Sequence, residues 1–376
     1  MRILHVTTYL QGGAGRAITD LALAQHARGD AVMVVASEVG EPGYGNYEEY
    51  LDRLSAAGVR VLLVDSTFVR ALPRLLQAAA DVAGALEAPP DVVHAHAGVP
   101  SVVGLLVAGM RTTGPLVQTM HGWAEHRLPE HARADVLAMR AARAVVVPSR
   151  AAFSHLRDAG VPPSHVRIVP YGIAPLDPAD RPDDDVSATA ARWRAEGRQV
   201  LCCIGTIGAR KNQRALIDAI GSSEMRDRVG LLLVGEGDAG EVRNAITGWR
   251  LADTILVTGY RPRASRLLEA ADWLVLPSQR EGLPLAVLEA FRGGLPVIVA
   301  DTPELREVVD HGSTGIVAPG VDMAAILDGL RQAVALSSVE RAGWASAAAQ
   351  RWRDRYQLAT MVERYDGIYA DVSRDR

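Results

Sequence analysis

Of the 40 basic residues in this 376-residue chain, only Lys211 is a lysine. Abundant Ala, Gly, Arg and Val suggest a coding bias against lysine, as in GC-rich bacterial genomes, so a lysine that persists is expected to do chemistry. Cysteine is almost absent as well. Cys202 and Cys203 are neighbours in a strand-like run, where adjacent side chains point to opposite faces and rarely bridge. They read as buried small hydrophobes in a reducing cytoplasm. No apolar run approaches the roughly 20 residues that span a bilayer, and no signal-peptide pattern precedes the first strand-like run. A cytoplasmic protein without a transmembrane segment is therefore expected. A basic surplus is lacking too: the formal net charge of −4 speaks against a nucleic-acid partner. Aromatics make up 5% of the chain. Several gather near its end as Trp344, Trp352, Tyr356, Tyr365 and Tyr369, where they read as core or interdomain packing rather than a sugar platform.

What is present is an ordinary α/β pattern, with 48% hydrophobic and 22% charged residues, as in soluble globular enzymes. Strand-like runs at 2–7, 31–36, 59–64, 91–96, 116–120, 144–147 and 166–169 alternate with helical patterns. Such alternation predicts a parallel sheet covered on both faces. Pro175, Pro178, Pro182 and a run of aspartates break the pattern, and it resumes at Gln199. The expected domains are 1–173, Rossmann-like, and 199–352, also doubly wound, with 174–198 as linker and 353–376 as a terminal helix. Two such domains point to a cleft enzyme whose active site lies between them.

The segment from Glu281 to Phe291 is the densest in chemistry. Pro284 suits the first position of a helix, which puts Glu281, Gly282 and Leu283 at a helix N-terminus, where backbone N–H groups and the dipole favour an anion. Glu289 is the one ionisable residue in that apolar helix before Arg292, and a buried carboxylate requires a donor. An Arg or a ligand's hydroxyls would serve. The second domain opens with Gly205-Thr206-Ile207-Gly208-Ala209-Arg210-Lys211-Asn212. Its glycines allow close backbone approach, and Arg210 and Lys211 offer adjacent cations suited to a diphosphate.

With these pieces in place the chain resembles the retaining glycosyltransferases of family four, which have the GT-B fold and include sucrose synthases and bacterial mannosyltransferases. The matching segments are Gly12-Gly13, His121-Gly122, Val147-Pro148-Ser149, Gly205 with Arg210-Lys211-Asn212, Thr258-Gly259-Tyr260, and Glu281-Gly282 with Leu288-Glu289-Ala290. The resemblance implies two Rossmann-like domains facing across a cleft, the last helix returning to the first. It implies a nucleoside-diphosphate sugar as donor and no metal or other cofactor. Lys211, helped by Arg210, would hold the diphosphate, and Glu289 would accept from the ribose. Glu281 would lie by the donor sugar, with the N–H groups of Gly282 and Leu283 on phosphate or sugar oxygens. Gly13 would let a loop close over the phosphate, His121 would face the sugar near the reacting carbon, and Gly259 to Arg261, including Tyr260, would border the nucleobase. Two departures stand out. Thr206 takes the place of a common arginine, and Tyr171-Gly172-Ile173-Ala174 replaces the usual Asn-Gly-x-Asp.

Trp123, Glu125 and His126 follow the His121 motif and would border the acceptor side, where carboxylates suit a cationic acceptor such as an aminocyclitol. His96, at a strand's C-terminal end, is a further candidate there, whereas His94 reads as core. With His5 these histidines lack the ligand spacing of a zinc site. Gly13-Ala14-Gly15 followed by Glu38 imitates a dinucleotide fingerprint, but Ile18 occupies the third glycine position. An NAD(P)-dependent oxidoreductase is thus the runner-up, and a non-catalytic nucleotide-sugar-binding protein a third reading. Asp183-x-Asp185 lies in the proline-rich stretch and reads as a solvated charge run. The arginines at 127, 133, 140 and 143, interleaved with acids, read as a solvated helix rather than a membrane-facing patch.

Overall fold

A computed structural model describes residues 1–40, 44–65, 70–123, 128–176 and 184–374. Glu125, His126, Arg127 and Asp183 lie outside the described residues. The chain divides into two compact units, Met1–Gly172 with Leu358–Arg376, and Ile173–Gln357.

In the first unit strands and helices alternate. They run β1 (Arg2–Val6), α1 (Gly12–Ala27), β2 (Ala31–Ser37), α2 (Asn46–Ala56), β3 (Arg60–Val64) and α3 (Leu72–Ala85). Then come β4 (Val92–His96), α4 (Gly98–Met110), β5 (Leu116–Thr119), α5 (Pro129–Ala141), β6 (Ala144–Val147), α6 (Arg150–Asp158) and β7 (Val166–Ile168). The seven strands form one sheet in the order β3-β2-β1-β4-β5-β6-β7, with every pairing parallel. Central strands are buried on both faces, which is why they read as continuous apolar runs.

The second unit contains α7 (Asp184–Ala195), β8 (Gln199–Ile204), α8 (Gln213–Gly221), β9 (Val229–Val234), α9 (Gly240–Trp249), β10 (Ile255–Gly259) and β11 (Trp273–Leu276). It continues through α10 (Leu285–Arg292), β12 (Val297–Val299), α11 (Pro303–Val308), β13 (Gly315–Val317), α12 (Met323–Ala335) and α13 (Ser338–Arg355). Its six-stranded parallel sheet has the order β10-β9-β8-β11-β12-β13. The last helix, α14 (Leu358–Arg374), belongs to the first unit and packs on α1. No described helix is long and apolar enough to cross a membrane.

The stretch expected as linker is not all linker. Asp184–Ala195 is helical because Val186, Ala190 and Trp193 recur at helical spacing and are all buried. Trp193 donates from Nε1 to the Asp253 carbonyl at 2.8 Å. Gly230 leaves room for the indole, since a Cβ there would stand 2.2 Å from it. The tandem cysteines are buried and unpaired with each other, and burial pushes the Cys203 thiol up to about 12.

Candidate active site

Both sheets reverse their strand order once, between β1 and β4 and between β8 and β11. Open α/β sheets bind ligands beyond the strand ends at that reversal, where neighbouring loops part to opposite faces. In the second unit the two loops at the reversal are those following β8 and β11. They carry Lys211 and Glu281.

The β8 loop passes through Gly205 and one turn of 3-10 helix, Ala209–Lys211, into Asn212, which takes the left-handed conformation at φ 59°. Asn212 Nδ2 donates to the carbonyls of Pro277 (3.1 Å) and Val321 (2.7 Å), and Gln279 N donates to the Arg210 carbonyl at 3.0 Å. The two loops are thus stitched together. Across this seam Lys211 Nζ donates to Glu281 Oε1 at 2.6 Å, and Arg210 Nη1 stands 3.6 Å from Glu281 Oε2. Glu281 has a side-chain exposure of 6%, against 47% for Arg210, so the carboxylate is a buried anchor and the guanidinium a solvent-facing cation.

On the other side of the seam the β9 loop is drawn in. Ile207 N donates to the Glu236 carbonyl at 2.7 Å and Gly205 N to that of Val234 at 3.0 Å. Gly235 N donates to the Gly259 carbonyl at 2.9 Å, which ties the end of β10 to the same platform. Tyr260, next to Gly259, is half-buried at the margin.

Past Glu281, Gly282 and Leu283 lead into α10. Pro284 occupies the N-cap, so the helix starts one residue later than the sequence suggested, and no side chain caps it. The N–H groups of Leu285 and Ala286 have no intrahelical partner at this terminus. Glu289 lies in the second turn and is buried. Glu281, the α10 terminus, Lys211 and Arg210 therefore converge on one spot, two cations and a helix dipole around a carboxylate. That is a site able to take up an anionic ligand beside a hydrogen-bonding carboxylate.

The first unit holds a different constellation. Gly13, expected in a loop, is the exposed second residue of α1; Gly15 brings that helix against the Leu10 backbone, where a Cβ would stand 2.4 Å away. Trp123 is half-buried against the core. His96, expected to reach the acceptor side, is buried behind His121. Its Nδ1 lies 3.1 Å from His121 Nε2, and its Nε2 lies 3.0 Å from His5 Nδ1. His5 Nε2 is 2.8 Å from Gln25 Oε1 on α1, and His121 Nδ1 is 2.6 Å from the Tyr171 hydroxyl. His94 bridges Tyr369 (2.6 Å) on α14 and Thr119 (2.7 Å), and Thr119 meets Tyr365 at 3.0 Å.

His5, His94 and His96 also bring ring nitrogens within 4.8 Å of one another, as three metal ligands would stand. The sequence spacing gave no hint of this cluster, because β1 and β4 are far apart in the chain and become neighbours only through the reversal. Every ring nitrogen of the three is already engaged by a hydrogen bond. Burial lowers His5 and His121 to about 4 and holds His94 and His96 well below the ordinary value, with repulsion among the histidines adding to the effect on the latter two. All four are neutral imidazoles near pH 7. Tyr171, whose place in the family pattern goes to asparagine, supplies the hydroxyl for His121.

Comparison with known proteins agrees with this picture. A family model described as Glycosyltransferase Family 4 matches residues 11–175, and one described as Glycosyl transferases group 1 matches 198–335. The chain is 25% identical over 182 residues to the N-acetyl-alpha-D-glucosaminyl L-malate synthase of Bacillus anthracis, covering 48% of each protein. It is 29% identical over 307 residues to the D-inositol 3-phosphate glycosyltransferase of Kribbella flavida, covering 72% of each. The aligned part thus spans about half of one relative and nearly three quarters of the other. Among solved structures, Anabaena HepE in complex with UDP and glucose superposes with a TM-score of 0.82 at 20% identity, covering 99% of this chain and 100% of that one. With both units matched by family models and the fold shared end to end, the chain belongs to glycosyltransferase family 4 and has the GT-B fold.

Proposed function

We propose that this protein is a metal-independent, retaining glycosyltransferase that moves a sugar from a nucleoside-diphosphate sugar to a hydroxyl of a small soluble or lipid-linked acceptor. The observation that carries this reading is the Lys211–Glu281 pair at 2.6 Å, set at the sheet reversal beside Arg210 and the uncapped start of α10. Departure of a nucleoside diphosphate builds negative charge on phosphate oxygens, and fixed cations and helix N–H groups stabilise it without reorganisation. Lys211 and Arg210 take the diphosphate, Glu289 accepts from the ribose, and Glu281 orients Lys211 and borders the sugar with Gly282 and Leu283. Gly259 and Tyr260 border the base. Gly13 and the neutral His121 are the proposed residues for the donor sugar, and Trp123 for the acceptor.

Retention follows when the acceptor oxygen attacks from the face the diphosphate leaves. The bond from the anomeric carbon to phosphate breaks, that to the acceptor forms, and a phosphate oxygen takes the acceptor's proton. With two side-chain cations in place the diphosphate needs no divalent ion for charge neutralisation. The UDP in the HepE complex and the transferase activities named for the relatives favour a nucleotide sugar over a dinucleotide cofactor, as does buried Ile18 in α1.

A thermal-shift panel of UDP, GDP, ADP, their sugars and NAD tests the reading, since a ligand that binds the native state raises its melting point. One nucleoside diphosphate is expected to raise it, and Lys211→Ala to remove most of that rise. A rise with NAD alone would refute the proposal. Turnover in EDTA and the anomeric configuration of the product test the metal and stereochemical parts.

A further inference from the structure

Among the described residues of the first unit, buried hydrogen bonds link in turn Tyr171, His121, His96, His5, Gln25, Tyr369, His94, Thr119 and Tyr365. A neutral imidazole has one N–H donor and one bare nitrogen acceptor, so it passes a donor direction along without choosing it. An amide differs, because its oxygen only accepts and its nitrogen only donates. Gln25 is fully buried with its oxygen toward His5 and its nitrogen 3.5 Å from the Tyr369 hydroxyl. His5 must then donate from Nε2 and accept at Nδ1. His96 must donate to it from Nε2 and accept at Nδ1. His121 must do the same, and the Tyr171 hydroxyl must donate to His121 Nδ1. Turning the Gln25 amide over reverses every one of these links.

We propose that Gln25 is a positioning residue that sets the tautomer of His121, three hydrogen bonds away, with Nε2 carrying the proton and Nδ1 receiving that of Tyr171. The path starts at the helix pair α1 and α14 and ends beyond β5, so packing of those helices is converted into the orientation of one ring. This inference rests on the proposed role of His121 beside the donor sugar. It assigns that role a supporting group that no sequence motif marks. A His121 locked in one tautomer holds its ring plane through Tyr171 on one side and His96 on the other, with no side-chain entropy to lose when ligand arrives.

The test reads the rings directly. The protein is labelled with 15N-histidine, each signal is assigned by single histidine replacements, and long-range proton–nitrogen correlations are recorded on the ligand-free protein. In the unmodified protein His5, His96 and His121 are all expected as Nε2–H tautomers. In Gln25→Met the anchor is gone, and the single His121 tautomer should be lost to a mixture. Gln25→Glu, which keeps the shape and an acceptor toward His5, should retain it. Any other tautomer set in the unmodified protein, an unchanged His121 in folded Gln25→Met, or its loss in Gln25→Glu overturns the proposal. The spectra need no substrate. Failure of the glycosyltransferase reading would appear instead as absent turnover in a protein whose tautomers are as stated.

Discussion

Gly205 has φ +149°, and a Cβ built on it would stand 3.3 Å from Lys211 Cε. The lysine stem lies where any other residue's side chain would begin, and its ammonium is tethered to Glu281. Gly235, with φ +147°, faces a harder neighbour: a Cβ there would meet the Gly205 carbonyl oxygen at 2.0 Å. The two glycines should therefore fail differently. Both substitutions carry left-handed strain, but Gly205→Ala otherwise pushes only on a side chain that can yield, so it is expected to cost less stability than Gly235→Ala while losing most of the nucleotide-induced rise in melting point. Gly235→Ala pushes on backbone as well, so it should destabilise by more than about 1 kcal/mol. Urea unfolding with and without UDP, GDP or ADP separates the two outcomes. Full nucleotide response in Gly205→Ala would show that the lysine does not need this position. Lys211, Glu281 and Glu289 are legible in the sequence because each breaks a local expectation: a lone lysine, a carboxylate before a proline, a carboxylate in an apolar helix. Asn212 is legible only as part of a matching segment and Gly235 not at all, because their work is to bind one loop to another and is invisible until the loops are adjacent.

At the scale of elements, the strands were legible because parallel strands buried on both faces leave unbroken apolar runs. Helix α7 was masked by the prolines and aspartates before it, although Val186, Ala190 and Trp193 carry the apolar stripe of a helix. Truncating that stripe gives a sharp expectation. Trp193 is 1% exposed, fills the space left by Gly230 and is hydrogen-bonded to the Asp253 carbonyl. Trp193→Ala should cost about 3–5 kcal/mol, as for other fully buried large side chains. A loss below about 1 kcal/mol in urea unfolding would mean that α7 is a passive connector after all. The histidine path was illegible for a different reason. It draws on α1, β1, β4, β5, the residues after β7, and α14, and only the strand order and the placement of the last helix bring these together. His94 is legible as core, but His96 reads as ligand-facing because the sequence shows its strand position and not its neighbours. The terminal tyrosines were recognised as packing groups without their hydroxyls' partners.

For the whole molecule, the uneven distribution of buried histidines has a thermodynamic consequence. His5, His94, His96 and His121 all lie in the first unit, and burial lowers their folded-state affinities for protons, His5 and His121 to about 4 from 6.5. Between about pH 6.5 and 4 the unfolded chain binds protons that the folded one refuses, so stability rises with pH across that window and falls as the solution is acidified. Each fully buried histidine contributes a slope of about 1.4 kcal/mol per pH unit. Four together give about 5–6 kcal/mol per unit, below the unfolded value near 6.5 and above the range where carboxylates begin to titrate. The second unit has no buried histidine among its described residues. Hydrogen exchange followed by mass spectrometry, corrected for intrinsic rates, should therefore show β1, β4 and β5 losing protection between pH 7 and 5 while β8, β9 and β11 keep theirs. Replacing His94 with glutamine, which retains hydrogen bonds but cannot take a proton, should flatten the response of the first unit by about a quarter. Equal loss of protection in both units on acidification would place the pH sensitivity elsewhere, and the buried imidazoles would then have to be protonated in the folded state without penalty.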